Sequence, residues 1–148
     1  ALPSAVQSFL RNEKPETCVI LGGVAAVSTS VESAVESATD CDAVRVSGAN
    51  RYMTSKAFAA WCVKHAWANS EFVALASGGT FPDALTDGAS VGRKGGCVLL
   101  TRTEQLEYGP RNYVRVFRSG IVEAKMYGGQ SALSSATLFD GGTSIAQD

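Results

Sequence analysis

Apolar residues gather in five short runs, Cys18 to Leu21, Ala43 to Val46, Phe72 to Ala76, Cys97 to Leu100 and Ala124 to Tyr127. The runs are near-continuous, whereas alternation would mark a half-solvated sheet; they predict strands buried on both faces. Between them the chain predicts helices at about Pro3 to Asn12, Thr29 to Ser37, Tyr52 to Ala68, Pro82 to Arg93, Pro110 to Arg118 and Ser134 to Leu138. Strand and helix alternate, so the expected class is α/β, an open, mostly parallel sheet with helices on both faces.

Helix starts carry their own signals. Thr29 stands three before Glu32, and Thr80 three before Asp83 with Pro82 between, both in the style of a capping box. Glycine pairs flank strands at Gly22-Gly23, Gly78-Gly79, Gly95-Gly96 and Gly128-Gly129, where a sharp turn needs backbone freedom or close approach. Two of these pairs are echoes: Gly22-Gly23-Val24-Ala25-Ala26-Val27-Ser28 returns as Gly128-Gly129-Gln130-Ser131-Ala132-Leu133-Ser134. Upstream, Pro3 to Arg11 parallels Pro110 to Arg118, one residue out of step. Tandem repetition favours binding over catalysis.

Composition narrows the picture further. The chain has 148 residues, 45% of them hydrophobic, enough for a core without metals or disulfides. Thirteen basic and 14 acidic residues leave a formal charge of −1, so no global field draws in nucleic acid. No apolar run approaches the roughly 18 residues of a membrane span, and no basic-then-apolar leader begins at Ala1. Cys18, Cys41, Cys62 and Cys97 form no metal-ligand pattern; they are read as free buried thiols or as containing one disulfide, with no pairing favoured.

Two segments carry a family signature. Val44-Arg45-Val46-Ser47-Gly48-Ala49-Asn50-Arg51-Tyr52 ends a strand and opens a helix, and Gly78-Gly79-Thr80-Phe81-Pro82-Asp83-Ala84-Leu85 follows one strand later. With the glycine-pair segments, they resemble the signatures of the type 2 cell-wall-binding repeat family, in the family's order and over nearly the whole chain. The resemblance implies a Rossmann-like or toprim-like fold. It also implies one and a half units, with 1–43 the C-terminal half of a preceding unit and 44–148 a full one, packed as one body. Gly22, Gly23, Tyr52, Phe81, Pro82, Asp83, Gly128 and Gly129 are then structural motif positions. The family holds an anionic wall polymer with a proline-isoleucine-leucine-leucine-threonine strand, which is matched here by Cys97-Val98-Leu99-Leu100-Thr101 with two departures, Cys97 for proline and Val98 for isoleucine.

Several residues admit both a functional and a structural role. Arg51, facing the motif's Asp83, serves either as a fork for phosphate or carboxylate or as an ion pair joining two loops. The turn Gly78-Gly79-Thr80 before a helix offers amides to an anion, or merely permits the turn. From Arg93 to Lys125 basic residues outnumber acidic ones, with Arg93, Lys94 and Arg102 flanking the Cys97 strand and Arg111, Arg115 and Arg118 on one helical face. This suits a phosphate-bearing polymer, or a solvated surface. Tyr52 and Phe81 are anchors or sugar-stacking rings, and His65, near Trp61 and Trp67, receives no role.

The expected function is noncatalytic: a secreted surface module that holds its parent protein to an anionic, teichoic-acid-like or polysaccharide polymer of a Gram-positive-type wall. The candidate polymer-binding set is Arg51, Arg93, Lys94, Cys97, Val98, Leu99, Leu100, Thr101 and Arg102. Neighbouring repeat units are expected partners, arranged in threes within a chain or as a homotrimer. No cofactor, metal, nucleic acid or membrane span is expected. The alternatives are a self-assembling or adhesion repeat, as in a surface layer, and a hydrolase using Asp83 or Asp87. The two glycine-pair strands should want equivalent places beside the Phe72 and Cys97 strands, so one is expected at the opposite sheet edge or exchanged with a neighbouring chain.

Overall fold

The computed structural model describes residues 1–79, 82–135 and 137, with the backbone alone for 82–87. The order is α1 (Ser4–Glu13), β1 (Cys18–Leu21), α2 (Thr29–Thr39), β2 (Ala43–Val46), α3 (Arg51–Lys64), β3 (Phe72–Ser77), α4 (Pro82–Arg93), β4 (Cys97–Thr101), α5 (Tyr108–Phe117) and β5 (Glu123–Tyr127). All five predicted strands are present. The last expected helix, Ser134 to Leu138, lies partly outside the described residues, and α3 stops at Lys64, where Ala66 turns left-handed.

Every strand pairing is parallel, in an α/β fold. The strands nevertheless form two ladders, β4-β3-β5 and β1-β2. β3 is buried along its whole length because a helix layer covers each of its faces. Val73, Leu75, Cys97 and Leu99 point toward α3 and α5, where they meet Ala59, Cys62, Tyr113 and Val114. Phe72 and Ala74 point the other way, onto Val91 of α4. This alternation is the period-two geometry of a strand turned into a two-sided core.

The near-continuous burial expected of all five strands holds only for β3. Leu21 and Val44 are exposed on the two-stranded ladder, and Ala124 and Lys125 on β5. β5 takes the expected place beside β3. β1 does not occupy the opposite edge; that edge belongs to β4, and β1 pairs with β2 instead. One reason the ladders stay apart is local: the Leu100 amide donates to Ser55 Oγ of α3 at 3.0 Å, so a side chain occupies a ladder position of β4.

The echo in sequence is an echo in conformation. Gly22 has φ 124° and Gly128 φ 106°, a region that L side chains rarely adopt. After each, the second glycine's carbonyl accepts the same two amides: Ala26 and Val27 bond to Gly23 O, and Ala132 and Leu133 to Gly129 O. The Thr29–Glu32 capping box does not form. Ser28 is the N-cap, without a side-chain cap bond, and Glu32 is engaged by Arg45.

Candidate functional site

A groove of about 580 Å³ opens where the ends of β1 and β2, the start of α3 and the outer side of β4 meet. Its floor is largely apolar, with Leu21, Phe58, Val98 and Leu100; Asn50 and Arg51 supply polar groups at its rim. α3 begins there because Asn50 is an N-cap, its side-chain oxygen accepting the Met53 amide at 3.0 Å. The positive end of a long helix therefore stands at the groove. Such a crevice beyond the carboxyl ends of parallel strands is where open α/β sheets bind ligands.

Arg51 occupies the first turn of α3 and donates to Gly78 O at 2.5 Å, linking the groove rim to the end of β3. This engages one of the five donors of a guanidinium. Asp83, its expected partner, has a side chain outside the described residues, as do Pro82 and Asp87; Thr80 and Phe81 lie outside them altogether. Tyr52 is wedged against Gly78, where a Cβ would come within 2.5 Å of its ring, so glycine is required there by close approach. The Arg102 guanidinium lies over the Tyr52 ring, 5.7 Å from its centre.

The described amides of the expected anion turn are already used. Gly78 N–H donates to Thr101 O at 2.8 Å and Gly79 N–H to Ser77 Oγ at 3.2 Å. The free donors anticipated from a glycine pair before a helix are thus absorbed by the neighbouring strand and by the turn itself.

The expected polymer-binding set is divided by the pleat and by the length of the sheet. Cys97, Leu99 and Thr101 are buried, whereas Val98 and Leu100 are half-buried and reach the groove. Thr101 instead organises the following turn, its hydroxyl donating to Gln105 O at 2.8 Å and accepting from Glu107 N–H at 3.0 Å. Arg51 and Arg102 stand at the carboxyl end of the strands. Arg93 and Lys94 precede β4 and stand at the other end, where Lys94 pairs with Glu123 at 2.8 Å and covers the Phe72 ring at 4.5 Å.

Several of the basic residues in this stretch are paired with its acidic ones. Glu123 receives both Lys94 and Lys125, which hold its carboxyl below the usual range, and Arg102 pairs with Glu107. Arg111 and Arg115 of α5 and its C-cap Arg118 are exposed, with Arg111 also donating to Leu106 O at 3.5 Å. His65 stacks on Trp61 at 4.3 Å, and Trp67 meets Trp61 edge-on at 4.7 Å, a surface aromatic cluster. All four cysteines are free thiols. Among the described residues no cluster suits a metal ion, and no helix is long and apolar enough to cross a membrane.

No motif marks Asn50, Ser55 or Arg45 as a site residue. Asn50 was readable, since asparagine before a helical run is a capping signal. Ser55 was not, because its partner Leu100 lies on a distant strand.

No curated protein matches the chain closely enough to count as a relative. Among solved structures it is similar to Cwp6 from Clostridium difficile, with a TM-score of 0.81 and 25% identity over 97% of this chain and 22% of that one. It also shares the fold of Cwp8 from Clostridium difficile, with a TM-score of 0.74 and 20% identity over 97% of this chain and 24% of that one. The chain thus spans less than a quarter of either protein. Residues 45–138 match the model of cell wall binding domain 2, and with most of its length so matched the chain belongs to the CWB2 family.

Proposed function

We propose that the chain is a noncatalytic module that attaches its parent protein to the bacterial cell wall by noncovalent contact with an anionic polymer. Family membership supports wall binding, and a wall or cell-surface location follows from it. The observation that carries the polymer reading is the groove at the α3 N-terminus, which Arg51 lines together with the half-buried Val98 and Leu100 of the strand that matches the family's polymer strand. Apolar walls suit sugar rings, while the guanidinium and the helix end suit phosphate or carboxylate. Arg102, over the Tyr52 ring at the same end of the strands, adds a second cation near by. Cys97, Leu99 and Thr101 contribute by fixing the strand, and Arg93 and Lys94 belong to a separate surface. Many such weak contacts, summed over several units, would retain the protein by avidity.

Cosedimentation with purified Gram-positive cell walls tests this. Retention should fall as salt rises, and Arg51→Ala or Leu100→Asp should lower it while Arg93→Ala leaves it unchanged. Retention that is indifferent to salt and to both groove variants overturns the polymer reading. The alternative of a self-assembling repeat draws support from the open edges of β1 and β5. Hydrolysis through Asp83 or Asp87 has no observation in its favour.

A further inference from the structure

β1 and β5 are the strands at equivalent places before the two glycine-pair segments, alike in position and not in residues, yet each is paired on a different edge. Aligning Gly22 with Gly128 sets Cys18, Val19, Ile20 and Leu21 against Ala124, Lys125, Met126 and Tyr127. In β1, the Gly22 amide donates to Val46 O of β2. Residues in a parallel ladder turn to alternate sides, so Ile20 and Gly22 face β2 while Val19 and Leu21 face outward. In β5 the phase is opposite. Val122 and Glu123 both donate to Glu71 O, just before β3, but only the Glu123 bond fits the Phe72–Glu123 register of the ladder, and so Lys125 and Tyr127 face β3 while Met126 and Gly128 face outward. The amides left free in one copy are those bonded in the other.

We infer that this element is a strand shared between successive units, held on one edge by β3 of its own unit and on the other by β2 of the next. The outer edge of β5 is then the docking site for β2 of a following copy of the unit, completing a four-stranded parallel sheet in the order β4-β3-β5-β2. The observed β1-β2 register transfers directly: Ala124 meets Ala43, Lys125 meets Val44, Met126 meets Arg45 and Tyr127 meets Val46 of the incoming copy. Arg45, which donates to Gly22 O at 2.7 Å, finds the equivalent acceptor in Gly128 O.

Three further observations agree with an interlocked array. A two-stranded parallel ladder such as β1-β2 is marginal by itself. Leu21 is 46% exposed, whereas its counterpart Tyr127 packs on the Phe72, Ala74 and Val91 cluster. α1, the echo of α5, buries no residue, with Val6 43% exposed where Tyr113 is 0%. Each lacks the β3 and α3 surfaces that its counterpart has, so the unpaired face of β1 and α1 is the reciprocal half of the same joint.

The joint is tested by lengthening the chain with a second copy of residues 43–148; Asp148 aligns with Asp42, so the spacing into the new β2 is kept. Amide hydrogen exchange on the present chain should find Lys125 and Tyr127 slow, with Met126 and Gly128 fast. In the lengthened chain Met126 and Gly128 of the first copy should slow by at least about 100-fold while Lys125 stays slow. A second readout is register. Lys125→Cys in the first copy and Val44→Cys in the second should form a disulfide with oxidised glutathione, and pairing Lys125→Cys with Arg45→Cys should not. The inference is overturned if Met126 is already slow in the present chain, if lengthening leaves it fast, or if lengthening abolishes the protection of Lys125. None of these readouts depends on wall binding.

Discussion

Arg45 of β2 clamps Gly22, donating to its carbonyl at 2.7 Å while its second nitrogen reaches Glu32 of α2 at 2.9 Å. The ion pair is largely shielded, with the two side chains 16% and 22% exposed. One residue therefore fastens the strand-to-helix turn after β1, the start of α2 and the β1-β2 ladder. The turn it fastens also forms one wall of the groove.

Arg45→Ala should lower stability by about 1–3 kcal/mol, since it removes two charge-assisted bonds and leaves Glu32 half-buried without its cation. Urea unfolding measures this. Combining the change with Glu32→Gln in a double-mutant cycle should give a non-zero coupling; additive losses would mean that the contact contributes nothing.

The two glycines of the echo should respond differently. Gly22→Ala forces a side chain onto φ 124° and within 3.3 Å of Ala26 Cβ, and is expected to cost at least about 1 kcal/mol. Nothing lies within 4 Å of a Cβ at Gly23, and Gly23→Ala should be neutral or stabilise by up to about 1 kcal/mol. The same contrast is expected between Gly128 and Gly129. Equal losses at both members of a pair would refute the assignment of the conformational need to the first.

Tyr113 is fully buried, and its hydroxyl has no hydrogen-bond partner among the described residues. Its ring packs on Phe117 at 4.5 Å. Tyr113→Phe keeps the ring and removes the unsatisfied group, so stability should hold or rise by up to about 2 kcal/mol. Tyr113→Ala should cost about 3–5 kcal/mol. A clear loss in the phenylalanine variant, read by thermal unfolding, would show that the hydroxyl is engaged.

Burial, reinforced by the neighbouring Cys62, pushes the Cys97 thiol from its ordinary value of 9.0 to about 12. The unfolded chain releases this proton from about pH 9 while the folded chain holds it to about pH 12, so the contribution to stability is complete below pH 9 and lost between the two. Urea midpoints should therefore fall more steeply above pH 9 in the native chain than in Cys97→Ala. Thiol alkylation mapped by peptide mass should label half-buried Cys41 first and Cys97 slowly; rapid labelling of Cys97 would contradict its burial.

What the sequence determined was local. Each strand core, from Cys18-Val19-Ile20-Leu21 to Met126-Tyr127, and the described helices follow from apolar runs and turn residues within a few positions of one another. The echo of Gly22 in Gly128 is likewise visible by inspection, and it marks the positive-φ turn in both copies. The tertiary structure decided what those elements meet. That Leu100 bonds to Ser55, that Glu123 pairs with both Lys94 and Lys125, and that Thr101 turns inward all depend on partners brought together by folding or on the phase of a pleat. The same holds for β1 and β5. Each is a short run that ends in the same glycine-pair turn, but an edge is paired only where a partner strand lies beside it, and chain connectivity gives β2 to one and β3 to the other.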